Sequence, residues 1–265
     1  MAVKVILLVL FFAVMVGVGI SCRRHTTDVN GFVLGGRSVG PWLTAFAYGT
    51  SYFSAVIFIG YAGQFGWKFG VASTWIGLGN AFLGSLLAWV VLGRRTRLLT
   101  QKLGTATMPE FFGKRFSSPA LKVSAALIVF VFLIPYTASL YNGLSRLFSM
   151  AFSIDYGICI LVMAVLTGVY VIAGGYMATA VNDFIQGIIM LFGIVAVIAA
   201  VLSLNGGFTG SIAALANVSD PETNIPGVFA SFFGPDPFGL FAVVILTSLG
   251  TWGLPQMVQK FYAIK

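Results

Sequence analysis

Charge is scarce in this sequence. Lys, Arg, Asp and Glu together make up 8% of its 265 residues, where a soluble domain carries roughly a quarter. So few charges cannot cover a water-facing surface, and lipid must be the solvent for much of the chain. Cysteine is nearly missing. Cys22 and Cys159 each sit in or beside an apolar run, which provides neither a disulfide framework nor a zinc site. They read as small apolar fillers. The one histidine, His25, lies in a basic loop and reads as solvated. The sequence holds no nucleophile–base pairing, metal-ligand cluster or phosphate-cradling loop, which argues against an enzyme. No polar stretch is long enough to form a soluble domain, and there is no low-complexity tract.

What is abundant is apolar. Hydrophobic residues make up 58%, with 25 Phe and 32 Gly, and mean hydropathy is +0.98. Glycine lets membrane helices approach closely. A spanning helix needs about 20 mostly apolar residues. Seven stretches qualify, near 3–21, 42–65, 71–92, 123–148, 157–172, 184–204 and 240–260. The first could be a cleaved signal peptide, since Lys4 precedes an apolar core that ends in Gly-Ile-Ser-Cys22. Arg23 and Arg24 directly after the core instead favour a retained helix with its N-terminus outside. Alternation from that start places twelve of the 15 basic residues inside: Arg23, Arg24, Arg37, Arg94, Arg95, Arg97, Lys102, Lys114, Arg115, Lys122, Lys260 and Lys265. Only Lys4, Lys68 and Arg146 fall outside. This bias sets the orientation, and it explains the net charge of +8 without any nucleic acid partner.

The connections carry detail too. The inner loop 94–122 is expected to hold a short helix, with Thr107 as N-cap, Pro109 as starter and Glu110 at the third helical position. The outer loop 205–237 is rich in Gly, Pro and Asn and contains Asp220, Glu222 and Asp236.

Two spans point to chemistry. The second reads Tyr48-Gly-Thr-Ser-Tyr-Phe-Ser-Ala55 at its centre. Small and polar residues crowd the middle of the bilayer there, where Ser and Thr can satisfy an opened backbone. A break would turn carbonyl oxygens inward, and oxygen ligands suit a small hard cation such as Na⁺. Packing against a neighbouring helix is the competing explanation. The seventh span reads Thr247-Ser-Leu-Gly-Thr-Trp-Gly-Leu-Pro-Gln256, with Gly250, Gly253 and Pro255 arguing for discontinuity. Set the first helix aside, and the interrupted spans are the first and sixth of the series, as two five-helix inverted repeats require.

Other features are weaker. Gly77, Ala81 and Ser85 form a packing stripe in the third span. Pro135 predicts a kink in the fourth, followed by Tyr136, Ser139, Tyr141 and Asn142. Asp183 opens the sixth span, where an acid either complements a helix dipole or holds a cation or proton.

Several ordered stretches resemble the sodium:solute symporter family, which includes sodium/proline and sodium/galactose transporters. They are Gly35-Gly-Arg-Ser-Val-Gly-Pro-Trp42, Met108-Pro-Glu-Phe-Phe-Gly-Lys-Arg-Phe116, Ile172-Ala-Gly-Gly-Tyr176 with Asp183-Phe-Ile-Gln186, and Leu249-Gly-Thr-Trp-Gly-Leu-Pro-Gln256 ahead of Gln259-Lys-Phe261. Together they cover nearly the whole chain.

The resemblance implies an all-α polytopic membrane protein with a LeuT-type inverted-repeat fold. Residues 1–265 form one membrane domain in that reading. An extra helix and inner loop occupy 1–40, the first five-helix repeat 41–204, and an outer loop with the first helix of the second repeat 205–265. Family members run to roughly twice this length, so the fold is expected to be incomplete. The implied function is sodium-coupled uptake of a small organic solute (amino acid, sugar, carboxylate or vitamin) across the plasma membrane by alternating access. Sodium is the coupling ion and no cofactor is implied. Thr50 and Phe53 match the positions whose backbone carbonyls bind sodium, and Asp183 matches an acid linked to sodium use. Ser51, Ser54, Thr247, Thr251, Trp252 and Pro255 are the implied solute contacts. Proline transporters carry an acid where Tyr52 stands, and the galactose-binding polar residues are not evident, so the solute stays open. A transporter-like sensor domain and a proton-coupled transporter are the alternatives.

Overall fold

A computed structural model of the chain describes residues 2–53, 61–221 and 224–265. Ser54 and Glu222, both singled out above, lie outside the described residues. The architecture is helical. β pairing among the described residues amounts to two isolated bridges, Val39 with Ile264 and Ser219 with Pro226. In chain order come α1 (Ala2–Ser21), α2 (Val29–Leu34), α3 (Pro41–Tyr52), α4 (Ala62–Phe69) and α5 (Thr74–Gly79). Two π-helical stretches follow, Asn80–Leu86 and Trp89–Gly93. Then come α6 (Arg94–Leu103), α7 (Met108–Arg115), α8 (Pro119–Phe152), α9 (Tyr156–Leu204), α10 (Gly207–Ala216), α11 (Pro237–Gly250) and α12 (Pro255–Ala263).

Local chemistry explains many of these boundaries. Asp28, Thr107, Ser118 and Asp236 each cap a helix by accepting a backbone N–H of its first turn. At α7 the expected capping box is present in altered form. Thr107 accepts from the Glu110 N–H, while the Glu110 carboxylate accepts from the N–H of Ala106, one residue upstream of the cap. Gly35 and Gly104 end α2 and α6 in the left-handed region.

Among the described residues, four stretches are long and apolar enough to cross a membrane: Val3–Arg24, Ala62–Leu103, Pro119–Phe152 and Tyr156–Leu204. The broken pair formed by α11 and α12 is a fifth candidate. The 49 residues of α9 exceed one crossing, since at 1.5 Å per residue they reach roughly 70 Å against a hydrocarbon core of about 30 Å. Gly175 divides α9, with φ 55° and ψ −147°. The sequence-derived spans 157–172 and 184–204 fall on either side of it. The inner connection expected between them is helical up to and beyond that one residue. Gly70, at φ 61° and ψ −139°, interrupts the chain after α4 in the same way.

Two expectations change in detail. Segment 94–122 holds α6 as well as α7, because Arg94–Leu103 is rich in good helix formers up to Gly104. Segment 205–237 contains α10 and a 3₁₀ turn at Val228–Ala230. Pro135, where a kink is expected, lies inside α8.

The chain divides into two compact units. The first comprises Met1–Ile59, Leu92–Gly187 and Pro255–Lys265, and the second Gly60–Val91 and Ile188–Leu254. In the first, Leu34, Val39, Ala47, Tyr48, Met257, Phe261 and Tyr262 are buried, with the Tyr48 and Phe261 rings 6.0 Å apart. The second is built on Phe69, Ala72, Ile76 and Leu240, against which Phe65, Trp75, Val243 and Val244 pack. Large apolar side chains such as Phe130 and Phe132 of α8 and Leu161 and Phe192 of α9 lie exposed. This is a surface suited to a bilayer and not to water.

Candidate functional site

In the first unit, α3 stops where the sequence crowds small polar residues. Its last helical residue is Tyr52, and Phe53 leaves the helical region at φ −87° and ψ 59°. Thr50 lies in the last turn, its hydroxyl donating to the carbonyls of Phe46 and Ala47. Ser51, beside it, is half-buried. At such an end a helix runs out of its own N–H donors and carries partial negative charge. Tyr52 is buried and packs on Tyr48 and Phe53.

The same helix end lies against α9. The Phe46 and Phe184 rings meet edge-on at 4.8 Å. A Cβ at Gly187 would stand 2.5 Å from the Phe46 ring and 3.2 Å from the Thr50 methyl. Glycine at 187 therefore allows the approach that brings Thr50 to within one helical turn of Asp183 along α9. The Asp183 carboxylate is paired with the Lys260 ammonium at 3.5 Å, their side chains 23% and 7% exposed. That ammonium also lies 5.0 Å from the centre of the Tyr176 ring. Removing one partner of such a pair without replacing its charge costs about 3–5 kcal/mol, because the other charge is left buried and uncompensated.

The second unit holds Thr247, Thr251 and Trp252. The Thr247 hydroxyl donates to the Val243 carbonyl and accepts from the Asn80 amide at 3.2 Å. Buried Ser248 donates to Asn80 at 3.5 Å. Thr251 donates to the Ser248 carbonyl within a 3₁₀ turn. The Trp252 indole donates to the carbonyl of Leu83 in the first π-helical stretch. Leu254 is extended, at φ −67° and ψ 126°, and ends the helical run before Pro255 begins α12. The seventh apolar span is thus broken where Gly253 and Pro255 predicted.

Pro255 belongs to the first unit and lines a cavity of about 220 Å³ with Val33, Thr107, Met108, Gln256, Gln259 and Tyr262. The far end of α12 is tied down heavily. The Arg37 guanidinium donates to the carbonyls of Thr100, Thr105 and Tyr262 and to the Thr100 hydroxyl. Arg97 donates to the Ile264 carbonyl, Gln259 to that of Val33, and Val39 exchanges backbone bonds with Ala263 and Lys265. Burial, then the neighbouring Arg97, push the Arg37 pKa below its ordinary value, with Tyr262 acting in the opposite direction.

In the sequence Arg37 and Lys260 stand out as inner-side charges within family-like stretches, with no partner assigned to either, and Asn80 does not stand out. The available signal was a polar or ionisable residue in or at the edge of an apolar span. Their partners lie 63 to 225 residues away along the chain, beyond the reach of local pattern.

A model of the sodium:solute symporter family matches residues 32–265. The chain is 31% identical over 264 residues to a sodium/proline symporter of Staphylococcus aureus, covering 98% of this chain and 50% of that protein. The sodium/proline symporter of Staphylococcus aureus strain JH9 is also 31% identical, over 265 residues and with the same coverage. The chain spans about half the length of the curated relatives it matches. With apolar helices able to span a membrane and a match over most of its length, the chain belongs to the sodium:solute symporter family.

Proposed function

We propose that the protein couples inward sodium flow to uptake of a small organic solute by alternating access. The observation that carries this reading is the pair of interruptions, one after Tyr52 and one at Leu254. Helix ends inside a membrane protein are where backbone oxygen becomes available to an ion. Sodium is assigned to the carbonyls of Thr50 and Phe53, with Asp183 supplying a carboxylate. Solute contacts are assigned to Ser51, Ser54 and Pro255, and to Thr247, Thr251 and Trp252. The chain supplies the first five-helix repeat and the start of the second in a LeuT-type fold, with seven crossings and an outside N-terminus. Gly70 and Gly175 support that count by dividing two over-long helical stretches. The relatives are named for proline, but Tyr52 is buried and packed on aromatic rings, so the solute is proposed only as small and organic.

The driving force is ample. A membrane potential of 100 mV contributes about 2.3 kcal/mol per charge, or roughly fiftyfold accumulation for one sodium per solute. The test is uptake of radiolabelled proline and a panel of sugars, carboxylates and vitamins by vesicles carrying the full gene product. Accumulation should collapse when potassium replaces sodium. Accumulation indifferent to that exchange would defeat the coupling.

A further inference from the structure

Asp183 is the one carboxylate assigned to sodium, yet its charge is already taken. Lys260 reaches it at 3.5 Å from α12, with both side chains largely out of water. The pair is neutral. Na⁺ bound at the same carboxylate would stand a few ångströms from the ammonium, and two cations that close repel strongly where solvation is poor. A carboxylate in low dielectric does not serve both. The Tyr176 ring, already 5.0 Å from the paired ammonium, is a neutral partner that the lysine keeps when it gives up the carboxylate.

We infer that Lys260 is a resident counter-cation of the sodium site, which Na⁺ must displace from Asp183 in order to bind there. Lys260 then sets the sodium affinity from below, as an internal competitor always present at one equivalent. Because α12 is tied at its far end to Val39, Arg37 and Arg97, the exchange also reports ion occupancy to the segments before α3 and within α6. The inference rests on the assignment of Asp183 to sodium made above.

The test is ²²Na⁺ equilibrium binding to the purified full gene product and to K260Q, K260R and the double variant D183N/K260Q. Removing the competitor in K260Q should lower half-saturating sodium at least tenfold. K260R, which restores a cation, should return close to the starting value. D183N/K260Q should lose the gain. A folded K260Q with unchanged or weaker sodium binding overturns the exchange. K260Q should also gain more thermal stability from sodium over potassium than the unaltered protein does, because Na⁺ replaces the missing charge. If K260Q cannot be recovered folded even in sodium, the lysine is a structural partner and the inference fails. Unaltered protein that binds no ²²Na⁺ at all would instead sink the sodium-coupling reading, so the two failures are told apart.

Discussion

Single residues show most clearly how backbone demands select side chains. Gly175 holds φ 55°, and a Cβ there would meet the Phe32 carbonyl at 2.8 Å and the Thr26 methyl at 3.0 Å. Gly175→Ala should therefore cost about 1–3 kcal/mol, from a disfavoured dihedral and from contacts that cannot relax freely. A lowered melting temperature in detergent checks this, and an unchanged one would show that the break is not strained. Not every glycine carries such a load. A Cβ at Gly49, Gly250 or Gly253 would find nothing within 4 Å. Among the described residues, then, no close contact demands glycine at these three positions beside the interruptions. A reader of the sequence sees identical letters in both cases. What separates them is the contact made by a distant segment.

Elements depend on ties that cross long stretches of chain. Arg37 joins α6, the turn after it and the end of α12 through one planar guanidinium. A point cation with three donors cannot reproduce that fork. Arg37→Met should leave several carbonyls without their donor and destabilise the first unit by about 2–4 kcal/mol. The same change should speed amide exchange in 94–107 and 259–265 while leaving 237–250 at its original rate. Uniform loosening of all three segments would argue against a local tie. The α7 helix makes the opposite point. Its Thr107, Pro109 and Glu110 were readable locally because a cap needs partners only three or four residues away. Even so, the Glu110 carboxylate chose the Ala106 N–H, a choice made by the path of the chain into the helix.

For the whole molecule the controlling quantity is the distribution of charge along apolar runs. On the seven crossings proposed above, twelve of fifteen basic residues are assigned to the inner side, a bias that would orient the protein with that side in the cytoplasm. Both native cysteines are buried, so single exposed cysteines can report sidedness. In whole cells, Lys68→Cys and Arg146→Cys should react with an impermeant maleimide, while Lys102→Cys and Arg115→Cys should react only after permeabilisation. The reverse pattern would invert the topology and the direction of coupling argued above.

The class of solvent, the positions of the apolar runs and the breaks after Tyr52 and at Leu254 follow from composition and from Gly, Pro and polar residues in short windows. Backbone hydrogen bonding inside lipid depends on neighbours in sequence, so such features are local and legible. The pairing of Asp183 with Lys260, of Asn80 with Thr247 and Ser248, and the fourfold grip of Arg37 are of another kind. Each joins a side chain to a group at least 60 residues away. Burial energy and electrostatics select such partners only once packed helices have brought them within a few ångströms, and no periodicity along the chain encodes that meeting.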